Sequence, residues 1–329
     1  MARKIRKRKK IESGVALSAQ NHASNGADSV FPSPLFIMIY ALSSFGVIML
    51  IRALYVFLDD IKAGLDGVWF SQIIEILQYI IVSMAPAIFI AFLFTIVEII
   101  LTKRQRIQTT YFVSFINLIL SFGGFVAVIF LFEHTLEQLG IEPLWNVNAT
   151  VFGSVWTYLI AIIYFFISDV LLYWVHRLEH TNKALWYLHK IHHAVEDMDS
   201  VSGAFHPLSN IIRWVFTVLP LSFFIEINLG DALVFASFLS GVHFVQHTRA
   251  PLNFGWFGKV IGDNRFHFVH HSKDPKHYNK NFAAIFPIID MMFGTYLKPS
   301  KHHLPDTGLG HLKGAETVGQ FLSGKLQPR

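Results

Sequence analysis

Ten histidines fall into four groups whose spacing repeats along the chain. His176 stands with His180, and His189 with His192 and His193. Far downstream His243 stands with His247, and His267 with His270 and His271. Residues three or four apart share one face of a helix, so each group presents two or three imidazoles in one direction. Several helices must therefore converge if the groups are to meet. Imidazole is a neutral ligand suited to iron, zinc, copper or nickel. A cluster of these rings without a metal would be unfavourable, because each needs a partner and protonated rings repel. One metal rarely takes more than six ligands, so ten candidates suggest two metals, each partly open.

A competing pattern lies inside the first group. His176–His180 reads HRLEH, which fits the H-x-x-E-H arrangement of a zinc protease with Glu179 as general base. That reading leaves the other eight histidines without a role. Glu179 is better placed to orient a ligand from behind. Asp169, seven residues before His176, lies on nearly the same helix face and is a second candidate.

The rest of the chain is dominated by apolar runs; 53% of its 329 residues are hydrophobic. Residues 35–51, 76–97, 111–132 and 151–168 carry no charge, and each can cross a hydrocarbon core of roughly 30 Å. The loops between alternate in sign: basic at Lys103, Arg104 and Arg106, acidic at Asp59–Asp66 and Glu133–Glu142. Positive loops stay in the cytoplasm, so His176 is expected to emerge there. Residues 208–225 and 232–248 are shorter apolar segments joined by Asn228–Asp231. They fit either a re-entrant hairpin or two thin spans. Either returns His243 and His247 to the cytoplasmic face. The expected fold is all-α: a multi-pass transmembrane helical bundle with a cytoplasmic histidine-rich metal-binding cap.

The formal net charge is +5. Much of the excess sits in the run Arg3–Lys10, which suits anionic lipid; no nucleic-acid module accompanies it. The N-terminus shows no short apolar core with a cleavage site. Cysteine is absent, which excludes disulfides, cysteine zinc sites and cysteine-ligated clusters within this chain. The expected divisions are a disordered basic arm at 1–30, N-terminal transmembrane helices at 31–149, a catalytic domain at 150–297 and a polar tail at 298–329 that wraps the surface loosely.

The order HxxxH, HxxHH, HxxxH, HxxHH resembles the fatty acid hydroxylase / sterol desaturase superfamily of membrane di-iron enzymes. Asp169 with Tyr173-Trp174, His206-Pro207, Asn281-Phe282-Ala283 and Ile289-Asp290…Phe293-Gly294-Thr295 also match. The resemblance covers about residues 150–297. Two positions depart from it: Ile289 stands where the family often has Trp, and Ala204-Phe205 where it often has an Arg. Carried over by position, the resemblance makes all ten histidines ligands of two iron ions, with zinc as a possible substitute. His206 and Asn281 join Asp169 and Glu179 as residues placed behind the ligands. The implied activity is hydroxylation or desaturation of a lipid (sterol, fatty acyl or related) with dioxygen. The implied location is a bacterial inner membrane or endoplasmic reticulum.

Electrons are expected from a separate donor of cytochrome b5 or ferredoxin type with its reductase. No flavin or nicotinamide fingerprint is present, and His206-Pro207 continues Leu-Ser rather than Gly-Gly. The alternative is a histidine-rich transition-metal (zinc) transporter or sensor. It would need ionisable residues along the spans, where only Glu75 and Glu98, near span ends, stand out.

Overall fold

The computed structural model describes residues 155–200, 202–227, 238–239, 241–250, 252–301 and 303–329. It also describes 135–142, 145–147 and the single positions Gln78, Glu98, Leu120 and Phe132. The basic arm and the first span lie outside the described residues, as do nearly all of the second and third spans and the turn at Asn228–Asp231.

The described chain is helical apart from one short ladder. β1 (Trp145–Val147) pairs in parallel with β2 (Ile225–Ile227). Among the described residues these three-residue strands and two isolated antiparallel bridges, Ser272–Thr307 and Leu312–Pro328, are the departures from an all-α fold. The longest element, α1 (Val155–Thr181), has 27 residues and runs about 40 Å. Asn182 ends it and starts α2 (Lys183–His193), its side-chain oxygen accepting from Ala184 N and Leu185 N. α3 (Pro207–Ser222) opens with proline at its first position, behind His206, whose Nδ1 accepts from Leu208 N. Residues 241–247 are helical. α4 (Asn264–His270) is capped by Asp263, which accepts from Phe266 N. α5 (Pro287–Met292) and α6 (Val318–Ser323) complete the set.

Leu159, Ile162, Ile163 and Ile167 on α1 are exposed. Among the described residues no helix is long and apolar enough to cross a membrane. The charge-free stretch 151–168, read from sequence as a span, overlaps α1 and ends just before the buried Asp169.

The main core gathers Tyr173, Phe266, Phe282, Ala283 and Ile289 between α1, α4 and α5. Two carboxylates organise it. Asp169 accepts from Ala284 N, Ile285 N and Phe286 N at 2.7, 2.9 and 2.7 Å. Asp290 accepts from Phe282 N and Ala283 N, both at 2.8 Å, and from the Thr295 hydroxyl. Strip 281–286 forms no regular element, so its buried N–H groups need such acceptors. Asn281 sits at φ 57; its amide donates to Phe266 O and Leu297 O and accepts from Leu297 N.

The tail is not loose. Phe321 and Ala315 bury against Ile191 of α2. The Tyr187 hydroxyl donates to Ser323 O, and His206 Nε2 donates to Leu322 O. Thr307 Oγ1 donates to Glu196 O. Gly324 takes φ 67, and a Cβ there would stand 2.7 Å from the Tyr187 ring, so glycine is required. The tail's polar, Gly-rich composition hid a few apolar anchors that close against α2.

Candidate metal centre

Four elements deliver the ten histidines. The end of α1 carries His176 and His180, and α2 carries His189, His192 and His193. The helical stretch 241–247 carries His243 and His247. α4 carries His267 and His270, with His271 as its C-terminal cap. Nine of the ten assemble into two adjacent groups. One holds His176, His180, His189, His193 and His270; the other holds His192, His247, His267 and His271. Within each group the ligand atoms lie within 4.8 Å of one another. His243 remains outside both groups. Its ring lies 4.0 Å from that of His247, and its carbonyl accepts from His247 Nδ1 at 2.8 Å.

The division follows from helical geometry. Positions i+3 and i+4 of a helix diverge by about 100°. His189 and His193 therefore face the first group while His192 faces the second. On α4 the pattern reverses: His267 and His271 face the second group and His270 the first. Each three-histidine motif thus serves both groups, and the two are cross-linked. The rings of His193 and His271, one from each group, stack at 4.3 Å.

Hydrogen bonds on the far side of the rings orient them. His176 Nδ1 donates to Phe282 O at 2.7 Å, and His270 Nδ1 to Lys280 O at 2.9 Å. His192 Nδ1 donates to Gly203 O. These bonds leave a bare lone pair on each Nε2. Yet Nε2 of His192, His270 and His180 are buried with no hydrogen-bond partner, an arrangement that costs about 1–3 kcal/mol per group if nothing fills it. His189 Nε2 stands 3.2 Å from His176 Nε2 and 3.0 Å from His193 Nε2. His267 Nε2 stands 3.2 and 3.0 Å from the Nε2 atoms of His247 and His271. A single proton cannot serve three converging nitrogens. With metal–nitrogen bonds of about 2.1 Å, ligands at right angles stand about 3.0 Å apart, so a cation fits each group. Burial, then the neighbouring imidazoles and the Arg213 guanidinium, hold His176, His180 and His189 well below the usual pKa of 6.5. Burial brings His270 to about 4. The rings are therefore neutral, the form that binds metal.

The residues expected behind the ligands separate. Glu179 is buried, its Oε2 lying 3.5 Å from His189 Nδ1. Asp169 bonds no histidine among the described residues; it holds the backbone of Ala284–Phe286, and the same strip offers Phe282 O to His176. Asn281 likewise braces the strip, and His206 caps α3. His277 donates to or accepts from Ser272 Oγ at 2.9 Å. Glu98 accepts from Ser200 N and Arg249 N at 2.8 and 3.0 Å. Trp186 packs on the His180 and His193 rings, whereas Trp174 packs on Tyr173 and Phe293.

Two residues at the site, Arg213 and Gly203, escaped the sequence reading, and a third, Phe205, was noted there only as a departure. Arg213 is buried and ion-paired to Glu179 at 2.5 Å. Phe205 stacks on the His192 ring at 3.9 Å, so the departure at Ala204-Phe205 places an aromatic face on the site. Gly203 takes φ 83, and a Cβ there would fall 2.6 Å from the His247 ring. The available signal was Arg213 itself, the single charged residue within 208–225.

Residues 161–295 match the fatty acid hydroxylase family. The chain is 28% identical over 183 residues to an alkylglycerol monooxygenase of Caenorhabditis elegans, covering 53% of this chain and 32% of that protein. It is 26% identical over 163 residues to the ornithine lipid hydroxylase OlsE of Rhizobium tropici, covering 49% and 48%. Against the Delta(7)-sterol 5(6)-desaturase erg3C of Aspergillus fumigatus it is 25% identical over 217 residues, covering 60% and 63%. The chain thus spans about a third of the worm enzyme and about half of the bacterial one. No solved structure matches it.

Proposed function

We propose that this chain, whose residues 161–295 match the fatty acid hydroxylase family and which is similar to lipid hydroxylases and sterol desaturases, is a membrane di-iron oxidoreductase. It hydroxylates or desaturates a lipid with dioxygen and externally supplied electrons. The observation that carries the reading is the pair of adjacent, cross-linked histidine groups whose Nε2 atoms converge on one another or, at His180, His192 and His270, are buried without a partner. All ten predicted histidines are assigned to the centre, nine as ligands of the two groups and His243 as the brace behind His247.

Two irons held there would supply the activation of dioxygen and the removal of hydrogen from an unactivated carbon. In hydroxylation, dioxygen, two electrons and two protons turn C–H into C–OH and water. In desaturation the same inputs turn two adjacent C–H bonds into C=C and two waters. The chain's own residues hold and orient. Phe282 O, Lys280 O and Gly203 O fix the tautomers of His176, His270 and His192. Glu179 does the same for His189. Phe205, Trp186 and Phe282 cover the rings and exclude water.

The exposed apolar residues of α1 face lipid, and substrate enters from the bilayer with the histidine cap on the cytoplasmic side. Electrons arrive from a separate cytochrome b5 or ferredoxin-type donor. The test is a membrane assay with a matched reductase and labelled dioxygen, read by mass spectrometry of total lipid. Either label in a hydroxylated lipid or a new double bond with oxygen consumed is expected. Lipid turnover without oxygen would overturn the reading.

A further inference from the structure

Glu179 is the one buried carboxylate that reaches a histidine of the centre among the described residues, and its position is imposed from α3. Ser209 and Arg213, four residues apart on one face of that helix, both aim at it. Arg213 Nε donates to Oε1 and Oε2 at 3.2 and 3.1 Å, and Nη2 donates to Oε2 at 2.5 Å. Ser209 Oγ donates to Oε1. Phe205 covers the guanidinium at 4.0 Å. The carboxylate cannot rotate without breaking several charge-assisted bonds.

We propose that Arg213 is a positioning residue for the first histidine group. It clamps Glu179 so that Oε2 faces His189 Nδ1, selects the Nδ1–H tautomer and leaves His189 Nε2 bare for metal. Arg213 Nη2 also lies 3.5 Å from His189 Nδ1. Its close bond, however, goes to Glu179 Oε2 at 2.5 Å, so the Nδ1 proton is assigned to the carboxylate. A lysine cannot reproduce this, because a point charge lacks the planar fork that engages both carboxylate oxygens. The inference rests on the reading of the histidines as a two-metal centre.

The full-length chain in detergent is titrated anaerobically with ferrous iron alone, and stoichiometry and affinity are read for each equivalent. The wild type binds two equivalents. Arg213→Met and Glu179→Gln each weaken one equivalent about 10- to 100-fold and leave the other unchanged. Arg213→Lys falls between. In a His189→Ala background, Arg213→Met adds nothing further, because the residue it acts through is gone. A structural role alone would weaken both equivalents and would add to His189→Ala. Should Arg213→Met not fold, Arg213→Lys and Glu179→Gln carry the same test. Wild-type affinities in all three variants, or equal loss of both equivalents, overturn the proposal. A wild type that binds no iron overturns instead the two-metal reading beneath it.

Discussion

The two histidine groups use the same spacing but are held in place differently. The first has an electrostatic buttress: Glu179 clamped by Arg213 behind His189, and Phe282 O and Lys280 O behind His176 and His270. The second has no carboxylate behind it among the described residues. It is shaped by close approach of backbone, with Gly203 against the rings of His192 and His247 and the His243 carbonyl behind His247. His267 and His271 leave Nδ1 buried without a partner. Removing charge should therefore weaken the first group, and adding a methyl should weaken the second.

The largest effect belongs to a ligand. His192→Ala removes a nitrogen from the second group and should cost that group its metal. Lipid oxidation should fall more than about 100-fold, beyond what outer partners usually cost. Metal analysis beside a turnover assay checks both. Gly203→Ala should come next. Its Cβ would stand 2.6 Å from His247, in a left-handed conformation that disfavours a side chain. The second equivalent of iron should be lost or loosened while the first remains. Retention of both with wild-type affinity would remove the contrast between the groups.

Asp169→Asn probes the first group from a distance. Its amide cannot accept all three N–H bonds that the carboxylate takes from Ala284–Phe286. The chain should lose about 3 kcal/mol of stability in denaturant unfolding. The first equivalent should weaken as Phe282 O shifts behind His176. Acid acts on the metal-free chain through the rings themselves. His270 stays neutral in the folded cap down to about 4, whereas unfolded it gains a proton near 6.5. The unfolded state thus binds more protons inside that window, so stability falls as pH is lowered through it. Thermal unfolding of the metal-free chain across pH 7 to 4 shows the slope. Smallest of all, His311→Ala should change neither metal nor turnover, since that exposed ring bonds the nearby Leu309 O, away from both histidine groups.

How much of this was legible follows from what kind of contact each residue makes. The histidines announced themselves because ligands three and four apart share a helix face, a local property. Their division into two groups was not legible, because His270 joins a set drawn mostly from α1 and α2, far away in sequence. His243 has the same spacing as its neighbours, yet it ends beside the second group rather than in it. Asp169 was singled out for sharing a face with His176; its bonds run to a strip more than a hundred residues on, and it acts through backbone. Arg213 was passed over because its surroundings read as an apolar segment. A lone charge there signals a buried partner, but which one depends on how α3 packs on α1. The tail misled through composition, since Phe321 and Ala315 do the packing and the polar residues between them do not.

The central claim is that the two groups form a pair of adjacent iron sites. The most direct measurement is iron analysis of the chain expressed with ample iron, joined to Mössbauer spectroscopy of the same sample. The account predicts about two irons per chain, one for each histidine group, because His193 and His270 serve the first group while His192 and His271 serve the second. A single metal equivalent at saturation, or zinc alone in iron-replete cells, would contradict it.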